Sequence, residues 1–135
     1  MLAHFALSII DAKTIAAAAR SEAEKNGWTV VIAIVDDGGH LVYLERMDGT
    51  QKASCVVAQE KARTAIMFKR PTVAMEKVIA DGRVAMLSLL GVTFVEGGLP
   101  IIHEGHFVGA IGVSGVQSSQ DGLIAKAGID ALAAA

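Results

Sequence analysis

Cysteine occurs once in this 135-residue chain, at Cys55, so no internal disulfide can form and no cysteine-based metal cluster can be built within one chain. The lone thiol reads as a small buried hydrophobe. Aromatic residues supply only 4% of the chain although 53% is hydrophobic, and much of that excess is alanine. Alanine- and glycine-rich surfaces let elements approach closely, also across subunit boundaries, and a homo-oligomer is the expectation. Neither charge sign dominates: 12 Lys and Arg face 14 Asp and Glu, for a formal net charge of −2. That balance gives no basic field for nucleic acid and no polybasic membrane anchor. No apolar run approaches the roughly 20 residues of a membrane span, and residues 1–10 carry no cationic, apolar leader. A cytoplasmic protein, with partners among small molecules and copies of itself, is expected. There are no repeats, linkers or low-complexity segments, and the length suits one domain, 1–135, burying roughly two thirds of its unfolded surface.

Ser8 and Asp11 have capping-box spacing, and Ile9, Ala12, Ala16, Ala19 and Ala23 step by three and four, predicting a first helix that Asn26-Gly27 ends. The β-branched run within 28–36 predicts a central strand buried on both faces. Asp36-Asp37-Gly38-Gly39 then turns the chain into a second strand, 40–46. Strict alternation there places His40, Val42, Leu44 and Arg46 on one face. A second helix follows over 52–68, with Lys61 interrupting a small and apolar stripe; it either snorkels to water or contacts an anion in a pocket. Lys69-Arg70 precedes Pro71, which breaks the helix. Thr72 is read as the cap of a short helix over 73–80, and 84–90 as a helical turn.

A short strand over 93–96 leads into Gly97-Gly98 and a hairpin over 97–115 that reverses at Glu104-Gly105. Small residues in its second arm, Ala110, Gly112 and Ser114, fall on one face, so something lies close against them: a packed helix, the first choice, or a ligand. Ser118 and Asp121 repeat the capping-box spacing before a last helix to Leu132, where Gly128 marks a close crossing. The alanines at 133–135 are expected to fray. The order of elements gives an α+β sandwich, one antiparallel sheet with a helical layer.

Two segments carry a family likeness: Val35-Asp36-Asp37-Gly38-Gly39-His40-Leu41-Val42 with Arg46-Met47-Asp48-Gly49, and Gly97-Gly98-Leu99-Pro100-Ile101 with Gly109-Ala110-Ile111-Gly112-Val113-Ser114-Gly115. With Lys61-Ala62-Arg63-Thr64-Ala65, Arg70-Pro71-Thr72 and Gln120-Asp121, the chain resembles the GlcG/HbpS family, also called haem-degrading or DUF336, which includes the C-terminal domain of PduO-type proteins. The resemblance covers nearly the whole chain. It implies a profilin-like fold with a five-stranded antiparallel sheet packed against helices, assembled into dimers or larger rings, and binding of haem, in one relative with haem degradation.

A haem site needs an axial donor, apolar walls and cations for the propionates. Phe68, Met47, Val113 and Leu99 are candidate walls, and Arg46, Lys61 and Arg70 candidate cations. His4, His40, His103 and His106 are the available donors; His40, just after the turn, is the first choice. His103-Glu104-Gly105-His106 reads as a solvated hairpin tip rather than a metal clip. An alternative is an enzyme or carrier for a small anionic metabolite, held by backbone N–H groups at Gly97, Gly98 and Ser114 with Arg46, Arg70 and Lys61, and with Asp36, Asp48 or Asp121 as base. No catalytic residue is assigned, because Ser114 lacks the G-x-S-x-G setting of a nucleophile elbow. A structural oligomer without ligand is the third reading.

Overall fold

The computed structural model describes residues 1–134. Helix α1 (Ile9–Lys25) is followed by β1 (Val31–Asp36) and β2 (Leu41–Arg46), then α2 (Ser54–Phe68), α3 (Thr72–Ala80) and a 3-10 turn, Val84–Ser88. The hairpin β3 (Gly98–His103) and β4 (His106–Ser114) leads into α4 (Ser118–Ala134). The sheet is antiparallel in the order β2-β1-β4-β3. Helices α1 and α4 cover one face, over Ile32, Ile34, Ile111 and Val113, and α2 covers the other, over Val31, Ala33, Val35 and Ala110. With both faces covered, β1 is buried along nearly its whole length.

The sheet has four strands, not five. Residues 93–96, expected as a strand, are irregular, and helix α2 takes the polar groups of Thr93 at their start. The Thr93 N–H donates to Thr64 Oγ1 at 2.9 Å, and the Thr93 hydroxyl donates to Glu60 Oε2 at 2.5 Å. Phe94 is buried edge-to-face on Phe68. A segment whose donor is spent on a helix cannot extend a ladder.

Helix α1 starts as its sequence predicts. Ser8 Oγ accepts from the Asp11 N–H and the Asp11 carboxylate accepts from the Ser8 N–H, both at 3.1 Å, a box that stabilises by about 1 kcal/mol. The equivalent spacing at α4 misleads. Asp121 turns inward, and the backbone N–H of Gln117 is capped by Gln120 Oε1 at 3.2 Å instead. Thr72 is likewise no cap: it is the first residue of α3, and its hydroxyl accepts from the Gly98 N–H at 2.9 Å, tying α3 to the start of β3. Ala135 of the expected frayed tail lies outside the described residues.

A bulge breaks the alternation of β2. Ile34 pairs with Tyr43 and Val35 with Leu41, so Val42 is the extra residue. Leu41, Leu44 and Arg46 therefore oppose the α2-facing residues of β1, while Val42, Tyr43 and Met47 pack toward α1 and α4.

The small face of β4 is covered by helix, not ligand. A Cβ on Gly112 would overlap the Ala58 carbonyl oxygen, and one on Gly98 the Lys61 carbonyl oxygen, so α2 rests with its backbone directly on β4 and β3. On the opposite face the alanine stripe of α1 is fully buried, and a Cβ on Gly128 of α4 would lie 2.9 Å from the Ile15 carbonyl oxygen.

Candidate functional site

Where β4 finishes, the fold closes on a buried ion pair. Lys61 is 2% exposed, and its Nζ donates to Asp121 Oδ2 at 3.1 Å and to the Val113 carbonyl at 3.0 Å. Asp121 Oδ1 accepts from the Val116 N–H at 3.2 Å. Burial pushes the Asp121 carboxyl above its ordinary range, and the Lys61 ammonium and the Val116 N–H pull it part of the way back. A Cβ on Gly97 would lie 2.8 Å from Lys61 Nζ and 2.6 Å from the Val113 carbonyl oxygen, so the Gly97-Gly98 break is where the chain passes over this pair. Lys61 neither snorkels nor faces a pocket; two of its three donors are used inside the protein.

The other end of the sheet is open and holds all four histidines. His40 closes the β1–β2 turn, where Asp36 Oδ1 accepts from the N–H groups of Gly38 and His40, both at 2.9 Å. His103 and His106 face each other as the last pair of the β3–β4 ladder. The residues before α1 run across this end: His4 Nε2 lies 3.9 Å from Asp37 Oδ2, and the Phe5 ring meets the imidazoles of His103 and His106 edge-on at 4.9 and 5.3 Å. On the α2 side of that arm is a cleft of about 370 Å³ lined by His4, Asp37, Ile66, Lys69, His106 and Phe107. On its other side a second hollow, of about 310 Å³, lies between Phe5, Leu7, His103 and Leu132.

The residues singled out from the sequence do not form one site. His40 and Arg46 sit at opposite ends of β2, about 20 Å apart along a six-residue strand. Arg46 is exposed, with Nη1 3.9 Å from Cys55 Sγ, and Met47 packs into the core beneath α1. Phe68 is spent on Phe94 at 5.6 Å between ring centroids, and Arg70 Nη1 lies 3.7 Å from Met75 Sδ. Ser114 is buried, its hydroxyl donating to Ser54 Oγ at 3.1 Å. Val113 belongs to the core, and Leu99 with Gly97 and Gly98 borders a separate groove beside α4. Of the candidate bases, Asp36 is engaged by its own turn and Asp121 by Lys61.

Lys69, Ile66, Phe107 and Asp37 are cleft residues absent from the sequence candidates, and His106 was among the available donors but ranked behind His40. The available signals were the two histidines flanking one hairpin turn and the Lys69-Arg70 pair ahead of Pro71. Among the described residues, no three His, Cys, Asp or Glu side chains converge so as to hold a metal ion, no buried side-chain polar atom lacks a partner, and no helix is long and apolar enough to cross a membrane.

A helix-covered antiparallel sheet of four strands, with a buried ion pair at one end and imidazole-lined hollows at the other, defines a small α+β fold with an open polar-aromatic end. Residues 7–130 match the family described as haem degrading protein HbpS-like, and the chain belongs to that family. It is 45% identical to Protein GlcG of Escherichia coli K12 over 103 residues, covering 76% of this chain and 77% of that protein. The crystal structure of Klebsiella pneumoniae protein ORFY, of family DUF336, superposes with a TM-score of 0.92 at 29% identity, over 99% of this chain and 96% of that one. The crystal structure of a PduOC:haem complex superposes with a TM-score of 0.86 at 30% identity, over 94% of this chain and 95% of that one.

Proposed function

We propose that this protein binds haem, or a related tetrapyrrole, in the cleft at the histidine end of the sheet, with His106 as the axial donor. The observation that carries this reading is the convergence at one cleft of two imidazoles, an aromatic ring, an aliphatic side chain and an ammonium: His4, His106, Phe107, Ile66 and Lys69. These are the components a haem requires, namely a nitrogen ligand, apolar contact for the macrocycle and positive charge for its propionates. Bound haem would supply the redox-active iron. The chain supplies the donor, the walls and the exclusion of water from one face. His106 is preferred to His4 because it is held on a strand, and sites on regular elements are more precise than sites on arms. The complex of PduOC with haem supports the choice of ligand.

The cleft covers one side of a macrocycle. A second copy of the chain is the cover we propose for the other, and the exposed Phe5 and Ile102 beside His103 and His106 support it. The alternative, a small anionic metabolite gripped by Arg46, Arg70 and Lys61, is less favoured because Lys61 is buried in its pair with Asp121, and Arg46 and Arg70 flank opposite ends of α2.

Titration with hemin, followed at the Soret band, tests the proposal. A saturable shift at one haem per chain or per pair of chains is expected, lost or moved to another wavelength in His106→Ala and retained in His40→Ala. A shift that never saturates, or that survives replacement of both His106 and His4, would overturn it. The family description includes degradation; for this chain, loss of the Soret band under ascorbate and air faster than with free hemin supports that activity.

A further inference from the structure

Lys69 ends α2 in left-handed backbone, φ 53° and ψ 42°, a place usually taken by glycine because a Cβ is disfavoured there. Glu104 is the other non-glycine residue with positive φ among the described residues, and it belongs to the hairpin turn beside the same cleft. A lysine near a helix C-terminus gains from the helix dipole wherever its side chain points. This one is directed: its Nζ stands 5.4 Å from the centroid of the Phe107 ring, and both residues line the cleft. Lys69 takes part in none of the ion pairs formed among the described residues. Asp37, the acid in the cleft wall, faces His4. The cleft thus carries an ammonium resting on an aromatic face, with no carboxylate partner among the described residues and a backbone that would be less strained as glycine. Strain kept where a side chain faces a cleft points to use of that side chain.

We propose that Lys69 is the anion-recognition residue of this cleft. Its ammonium leaves the Phe107 ring to pair with a carboxylate on the edge of a planar aromatic ligand that takes its place against that ring. The inference rests on the haem reading, in which the carboxylate is a propionate. The exchange is favourable because an exposed ammonium over a half-buried ring is held weakly, whereas an ammonium–carboxylate hydrogen bond is about twice as strong as a neutral one.

The test compares hemin with the dimethyl ester of iron protoporphyrin IX, which has the same macrocycle and no carboxylate. Both are titrated against the wild type, Lys69→Met and Lys69→Arg, with unfolding curves to verify that each variant is folded. Hemin is expected to bind the wild type about tenfold more tightly than the ester, a difference that a single charge-assisted hydrogen bond supplies. Lys69→Met should remove that preference by weakening hemin alone, and Lys69→Arg should restore it. Equal affinities for hemin in the wild type and Lys69→Met would overturn the assignment while leaving the haem reading in place. So would equal weakening of both ligands, which would make Lys69 a packing residue. Failure of the wild type to bind either porphyrin would instead remove the haem reading, and this inference with it.

Discussion

Where β4 finishes, glycines let α2 and the 97–98 crossing sit directly on the strands, and the polar groups trapped beneath are joined to one another through Lys61, Asp121 and Val113. At the far end of the same strands the glycine of the hairpin turn, Gly105, has open space where a Cβ would be, and the polar groups are imidazoles and an ammonium facing a cleft. Both ends hold a lysine on or just after α2, eight positions apart in sequence. Lys61 is consumed by the fold and Lys69 stands exposed in the wall of the cleft. The contrast shows that charge on a helix face says little about function until burial and partners are known.

The sharpest way to break this comparison is to add one methyl group at each end. Gly112→Ala should cost more than about 4 kcal/mol, the range reserved for core and backbone conflicts, because its Cβ meets the α2 backbone. Gly105→Ala should cost only about 1 kcal/mol, from left-handed backbone alone. Urea unfolding of both reads the difference, and comparable losses would mean that the two ends are equally well packed.

Removing charge from the sealed end comes next. Lys61→Met leaves the Asp121 carboxyl buried without its counter-ion and should cost about 3 kcal/mol at neutral pH, with most of the loss recovered in the double variant with Asp121→Leu. The pH dependence has a defined sign. A carboxyl whose folded pKa is raised contributes stability that is fully present below its unfolded pKa and is lost as pH rises through the folded value. With the opposing Lys61 charge gone that rise is larger, so Lys61→Met should be more stable at pH 5 than at pH 8, by a wider margin than the wild type. A variant insensitive to pH over that range would show that Asp121 reaches water.

The smallest expected effect lies at the open end. Lys69→Gly relieves left-handed backbone at an exposed helix terminus and should raise stability by about 0.5–1 kcal/mol, seen as a higher melting temperature. A lower one would mean that the contact with Phe107 outweighs the backbone strain.

Much of the fold was legible because its signals are local. The Ser8–Asp11 box, the alanine stripe of α1, the β-branched run of β1 and the Glu104-Gly105 turn each act within a few residues. The glycine face of β4 correctly announced a close neighbour, and the structure shows that it is α2. Misreadings arose where a local pattern lost to a distant partner. Asp121 has cap spacing but is taken by Lys61, sixty positions away; Thr72 looks like a cap but is taken by Gly98; residues 93–96 look like a strand but are taken by α2. The bulge at Val42 breaks the alternation by which strict spacing puts His40 and Arg46 on one face.

The sequence by itself therefore determined the kind and order of the elements everywhere but at 93–96, the two hairpins and the absence of a disulfide framework, because periodicity, turn chemistry and composition act through near neighbours along the chain. Only the tertiary structure decided which lysine is buried and which is presented, and that His4, Asp37, Lys69 and His106 meet at one cleft. Those outcomes depend on antiparallel pairing that brings the β1–β2 turn, the β3–β4 turn and the end of α2 to the same edge. No spacing along the chain encodes that meeting, because it is a sum of long-range contacts rather than of local preferences.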